Sequence, residues 1–94
     1  MRVKIRLLGV LRDAGGSKEM VIDAPSDSTV SSIIQQMIDD DESLRIALWD
    51  ESLDSPIPNA LIMLDGVEVN NLQGIETLVN PNQELVLLSV VHGG

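Results

Sequence analysis

One stretch of this chain carries a long helical face. Val30, Ile33, Ile34, Met37 and Ile38 fall at i, i+3, i+4, i+7 and i+8, which places them on one stripe of an α-helix ending near residue 39. Ser26-Asp27-Ser28-Thr29 offers several N-cap residues just ahead of it. A helix with one apolar stripe must bury that stripe against another layer. The longer segments on either side read as strands, so the layer on offer is a sheet.

Residues 2–8 alternate polar and apolar, predicting a half-buried strand with Val3, Ile5 and Leu7 inward and Arg2, Lys4 and Arg6 outward. Gly15-Gly16 marks a turn, Glu19–Asp23 reads as the hairpin partner, and Pro25 closes it. The run Asp39-Asp40-Asp41-Glu42 suits a first turn better than a last one. It therefore predicts one helix ending and a shorter one starting, with Leu44 and Leu48 on the buried side. Residues 50–58, with Pro56 and Pro58, form a loop. Ala60–Leu64 and Val67–Val69 flank Asp65-Gly66, a hairpin signal. Residues 72–79 connect, with room for a turn of helix, and Asn80-Pro81-Asn82 makes a turn. Glu84–Val91 is the last strand, and its run Leu85-Val86-Leu87-Leu88 predicts a central position covered at least in part on both faces.

An N-terminal hairpin, one crossing helix and a last strand returning to the sheet centre describe a β-grasp, the ubiquitin-like arrangement. The expected class is α+β, with a mixed sheet of about five strands crossed by the main helix plus a short second one. At 94 residues the chain is long enough for one modest core. We expect a globular body over residues 1–90 and a flexible C-terminal tail over residues 91–94.

Composition removes several function classes. Cysteine is absent, so disulfides, thiolate metal sites and a Cys nucleophile are excluded. Fifteen acids against six bases give a net charge of −9, which disfavours nucleic acid and anionic membrane as partners and favours a basic docking surface. Trp49 is the one aromatic residue, too few for a base-stacking platform. No apolar run is long enough to span a bilayer, and Arg2, Lys4 and Arg6 interrupt any signal-peptide core. The expectation is a cytoplasmic protein.

The sequence ends Val91-His92-Gly93-Gly94. Glycine has no Cβ, so a Gly-Gly tail is thin and flexible enough for a narrow enzyme channel. Its carboxylate has no neighbouring side chain to obstruct attack. These are the needs of a terminus that is itself a substrate; the plainer reading is a frayed end. Residues 91–94 reach at most about 14 Å when extended. That is enough to enter a partner's site while the body stays outside.

Three segments resemble the ubiquitin-like sulfur carriers, which include the small subunit of molybdopterin synthase, the thiamine-pathway carrier, the ubiquitin-related modifier and the small archaeal modifiers. Leu11-Arg12-Asp13-Ala14-Gly15-Gly16 is similar to a segment of the molybdopterin synthase subunit. Thr29-Val30 with Ile33-Ile34 looks like the family's helix start, and Leu64-Asp65-Gly66-Val67 through Gly93-Gly94 looks like its closing half. The ending His92-Gly93-Gly94 looks closer to the ubiquitin-related modifier, and the segment around residues 42–58 is one the thiamine carrier lacks, so the branch stays open.

The resemblance implies an activation sequence. An E1-like adenylyltransferase, using its own ATP and magnesium, adenylates the Gly94 carboxylate. A sulfur donor of rhodanese or cysteine desulfurase type then converts the acyl-adenylate to a thiocarboxylate. This chain would bind no cofactor of its own. It also implies a destination: the molybdopterin synthase large subunit, where this chain would act as the sulfur-donating small subunit. Conjugation to target-protein lysines and tRNA thiolation are the alternatives.

Other candidates divide between sharp and plain readings. His92 either has a functional role, such as holding the adenylate or shuttling a proton, or is a solvated or partner-contacting tail residue. The Asp39–Glu42 run is a solvated helix junction rather than a metal site, since consecutive acids do not converge. Trp49 is a core plug under the short helix or a partner anchor. Gly66 and Gly74 are turn residues, and Ser28 and Thr29 are caps, because no base pairs with them. Arg2, Lys4 and Arg6 form either edge-strand or solubility charge or a docking stripe beside exposed apolar residues of the last strand, such as Val86 and Leu88 or their alternates.

Overall fold

The computed structural model describes residues 1–90. Alternation in the first segment produces β1 (Arg2–Leu8), which buries Val3, Ile5 and Leu7 completely and leaves Arg2, Lys4 and Arg6 exposed. A short helix, α1 (Val10–Gly15), follows directly. It then gives way to β2 (Glu19–Asp23), antiparallel to β1 with Lys4 opposite Val21 and Arg6 opposite Glu19.

The expected helix is α2 (Val30–Ile38), with Val30, Ile33, Ile34, Met37 and Ile38 all buried. Its start is a reciprocal cap: the Ser32 N–H donates to Thr29 Oγ1 at 3.1 Å, and the Thr29 N–H donates to Ser32 Oγ at 2.9 Å. The acidic run divides as its electrostatics require. Asp39 is the last cap of α2, while Asp41 begins α3 (Glu42–Leu48) by accepting the Leu44 N–H at 3.1 Å. Leu44 and Leu48 point inward, and Trp49 plugs the core at the end of α3. The Trp49 Nε1–H donates to Asp54 Oδ1 at 3.2 Å, which satisfies its polar edge.

The remaining strands are β3 (Ala60–Leu64), β4 (Val67–Glu68) and β5 (Glu84–Ser89). Gly66 turns the β3–β4 hairpin with φ 81°. Two 3₁₀ turns, Val69–Asn71 and Gly74–Glu76, carry the chain back. The sheet order is β2-β1-β5-β3-β4, with β5 parallel to β1 and antiparallel to β3. This is the mixed five-stranded sheet of a β-grasp. Ile33 and Ile34 of α2 share one core with Ile5, Leu7, Ile62, Leu85 and Leu87 from the inner face of the sheet. Fully burying such side chains is worth about 1.5–3 kcal/mol each.

The structure differs from the expectations in four places. Residues 10–15 are helical rather than part of a turn, so the main helix is joined by two shorter ones, not one. β1 is an interior strand, with β2 on one side and β5 on the other, so its three bases are not edge-strand charge. β5 is central, but only Leu85 and Leu87 are fully buried; Val86 is half-buried and Leu88 is exposed, because the helices cover one face alone. Finally, Val69 is buried in a 3₁₀ turn, and β5 ends at Ser89 rather than Val91.

Candidate docking face and the root of the tail

The outer face of the sheet brings together residues far apart in sequence. Across the strands, Glu19, Arg6, Val86, Met63 and Glu68 are successive neighbours. The next row outward runs Leu8, Leu88 and Leu61, and the row on the other side runs Val21, Lys4 and Glu84. An apolar patch of Leu61, Met63, Val86 and Leu88 therefore lies beside the basic column of Arg2, Lys4 and Arg6. Leu88 is 37% exposed, while Leu61, Met63 and Val86 are half-buried. The four residues are contiguous on the uncovered face of the sheet.

Charge on this face is partly compensated. The Lys4 Nζ lies 3.7 Å from Glu19 Oε1 and 3.7 Å from Glu84 Oε2, and the Arg6 Nε lies 3.9 Å from Glu19 Oε1. These are long, half-exposed pairs, worth little to stability. They hold the cationic heads over the sheet. On the helical side, Arg45 hydrogen-bonds Glu51, and that bond together with the attraction of its charge raises the Arg45 pKa above its ordinary value.

Beside the patch lies the root of the tail. Ser89, the last residue of β5, accepts the Val10 N–H on its Oγ at 3.1 Å. Val90, the last described residue, donates its N–H to the Asn59 carbonyl at 3.0 Å. The expected tail residues Val91, His92, Gly93 and Gly94 lie outside the described residues.

Ser28 Oγ donates to the Pro25 carbonyl at 2.6 Å, and Thr77 Oγ1 donates to the Gly74 carbonyl at 2.7 Å, so these hydroxyls serve turns. Among the described residues, no group of His, Asp and Glu converges as a metal site, and no helix is long and apolar enough to cross a membrane.

Four of the sequence candidates are thus adjacent on one face: Lys4, Arg6, Val86 and Leu88. Arg2 stands in the same column, opposite Asp23. Leu61 and Met63 were missed. Their signal was alternation within Ala60–Leu64, concealed because every residue of that run is apolar. Gly9, Asn59 and Ser89 were also missed, and no local pattern marks them.

Comparison with known proteins agrees with this geometry. The ThiS family model matches residues 5–94. Among curated proteins, none matches this chain. Among solved structures, the chain is similar to the SAMP1 crystal structure from Haloferax volcanii, with a TM-score of 0.85 and 17% identity over 100% of both chains. It is similar to the small archaeal modifier protein 1 of Methanosarcina acetivorans, with a TM-score of 0.84 and 23% identity, covering 99% of this chain and 96% of that one. It also matches a chain of the BexX/CysO complex of Amycolatopsis orientalis, with a TM-score of 0.74 and 24% identity, covering 98% of this chain and 99% of that one. At these identities the structures establish the β-grasp fold, and the family match, which spans nearly the whole sequence, establishes membership: the chain belongs to the ThiS family of ubiquitin-like sulfur carriers.

Proposed function

We propose that this chain carries sulfur on its C-terminal Gly94 as a thiocarboxylate. The observation behind the reading is that the family match extends through Gly93-Gly94, while the described body ends beside an apolar and basic docking face. A free carboxylate is a poor acyl donor, because its leaving group would be oxide. Attack of that carboxylate on the α-phosphate of ATP, at an E1-like adenylyltransferase, releases pyrophosphate and installs AMP as a good leaving group. A sulfur donor of rhodanese or cysteine desulfurase type then displaces AMP. The protein's own part is to dock, present the tail and exclude its body from the channel. The patch of Leu61, Met63, Val86 and Leu88 supplies the apolar anchor, and Arg2, Lys4 and Arg6 supply the rim.

The destination we favour is a molybdopterin synthase-like large subunit, on the strength of the segment Leu11–Gly16. Conjugation through Gly94 to lysines is the second reading, supported by the ending His92-Gly93-Gly94 and by the fold shared with the small archaeal modifier proteins. The complex in which one structural relative was solved supports a partner-dependent role. Pyrophosphate exchange with the activating enzyme of the same host tests the shared first step. Exchange that requires Gly93-Gly94 supports the reading, and exchange undiminished by their deletion refutes it.

A further inference from the structure

We infer that Ser89 and Asn59 are positioning residues that fix where the tail starts and which way it leaves the body; this rests on the proposed activation of Gly94. Whatever holds residues 89 and 90 sets the origin of everything beyond them. The ladder that pairs Ser89 with Ala60 does part of this, and two hydrogen bonds, one from each side, complete it.

On one side is α1. A helix leaves its first N–H groups without internal partners, and a neighbouring side chain usually caps them. The N-cap of α1 is Gly9, which has no side chain, and no local cap exists. The acceptor comes instead from Ser89, whose Oγ takes the Val10 N–H from 79 residues away in sequence. The backbone is shaped to allow this. Gly9 has φ 69° and ψ −143°, a conformation that L side chains rarely adopt. A Cβ at Gly9 would sit 2.2 Å from Ser89 Oγ, so only glycine leaves room for that hydroxyl.

On the other side is α3. The Val90 N–H bonds to the Asn59 carbonyl, while Asn59 Nδ2 donates to the carbonyl of Leu48, the last residue of α3, at 3.1 Å. The Asn59 N–H also donates to the Pro56 carbonyl at 3.0 Å, so the Nδ2 bond to Leu48 is what the side chain itself adds to the placing of the carbonyl that Val90 uses. The root of the tail is thus held between the start of one helix and the end of another.

Core packing does not demand this arrangement. The buried cluster is complete at Leu87; Ser89 is half-buried and Val90 is exposed. What the two bonds add is direction. A loosely rooted tail spreads its carboxylate over a wide cone, and productive alignment in the partner's channel becomes rarer. A root fixed in place narrows that cone without touching the docking face.

The test uses Ser89→Ala, Ser89→Thr and Asn59→Ala in the full chain. Enzyme-catalysed pyrophosphate exchange is measured alongside amide hydrogen exchange at Val10 and Val90. Ser89→Ala and Asn59→Ala should lower kcat by about tenfold with KM unchanged, since misaiming by an ångström is enough for losses of this order. Amide exchange should quicken at Val90 in both variants and at Val10 in Ser89→Ala. Ser89→Thr, which keeps the hydroxyl, should restore activity. A kcat within about twofold of the parent in both alanine variants, or a loss residing in KM, would overturn the inference. If the parent chain itself is not activated, the proposed function fails and the inference fails with it, an outcome separate from equal activity of parent and variants.

Discussion

Arg6 and Val86 face each other across the parallel β1–β5 pair, with Met63 beyond Val86 on β3. A cationic column and an apolar column are therefore nearest neighbours on the uncovered face of the sheet. This juxtaposition depends on a strand from the end of the chain lying beside the first strand. It leads to the first prediction. Val86→Ala and Leu88→Ala should each weaken binding to the activating enzyme by about 1–2 kcal/mol, the range for anchors inside a polar rim. Titration calorimetry measures the loss. Unchanged affinity in both variants would move the docking surface elsewhere.

Salt provides the second prediction. The protein carries a net charge of −9, yet five of its six bases lie within residues 2–18. Exposed charges are screened over about 8–10 Å at physiological ionic strength. Affinity for the activating enzyme should therefore fall as salt rises from low to physiological levels. Salt-independent binding would leave apolar contact as the main contribution.

Stability should divide sharply between core and tail. Ile34 is fully buried in the cluster that runs from Val3 to Leu87. Ile34→Ala should cost about 2–5 kcal/mol through lost burial and a residual cavity. Removing residues 91–94 should cost less than about 1 kcal/mol, the scale of an ordinary surface change. Urea denaturation followed by Trp49 fluorescence reads both, because the single tryptophan is buried against the end of α3. Similar losses from the two changes would mean that the tail is packed on the body.

Two glycines should respond unequally to alanine. Gly66 has φ 81°, and a Cβ added there would meet nothing within 4 Å, so Gly66→Ala should cost only the left-handed backbone penalty of about 1–2 kcal/mol. Gly9 adds a collision with Ser89 to a backbone conformation, φ 69° and ψ −143°, that other residues rarely adopt. Gly9→Ala should therefore be the more destabilising of the two by thermal denaturation, and equal losses would count against the close approach at Ser89.

Local pattern revealed much of this fold, and its failures have a common cause. The α2 face was legible because five apolar residues keep helical spacing and a Ser/Thr cap precedes them. The division of the acidic run was legible from the helix dipole alone. α1 was not, because it is six residues long, contains Gly15, buries only Leu11 and takes its cap from Ser89. The interior position of β1 was hidden for the same reason. Its alternating bases imitate an edge, but Glu19 and Glu84 on the flanking strands compensate Lys4, and that pairing is nonlocal. The docking candidates Val86 and Leu88 could be named from the sequence; their partners Leu61 and Met63 needed the register.

The intact mass of the protein isolated from its native host, compared with that of a chain lacking Gly93-Gly94, addresses the central claim most directly. Sulfur carriage predicts a population of the full chain heavier by the difference between one sulfur and one oxygen, absent from the truncated chain. Abundant adducts on target lysines with no such population, and no sulfur-transfer defect on deletion, would contradict the account and favour protein modification instead.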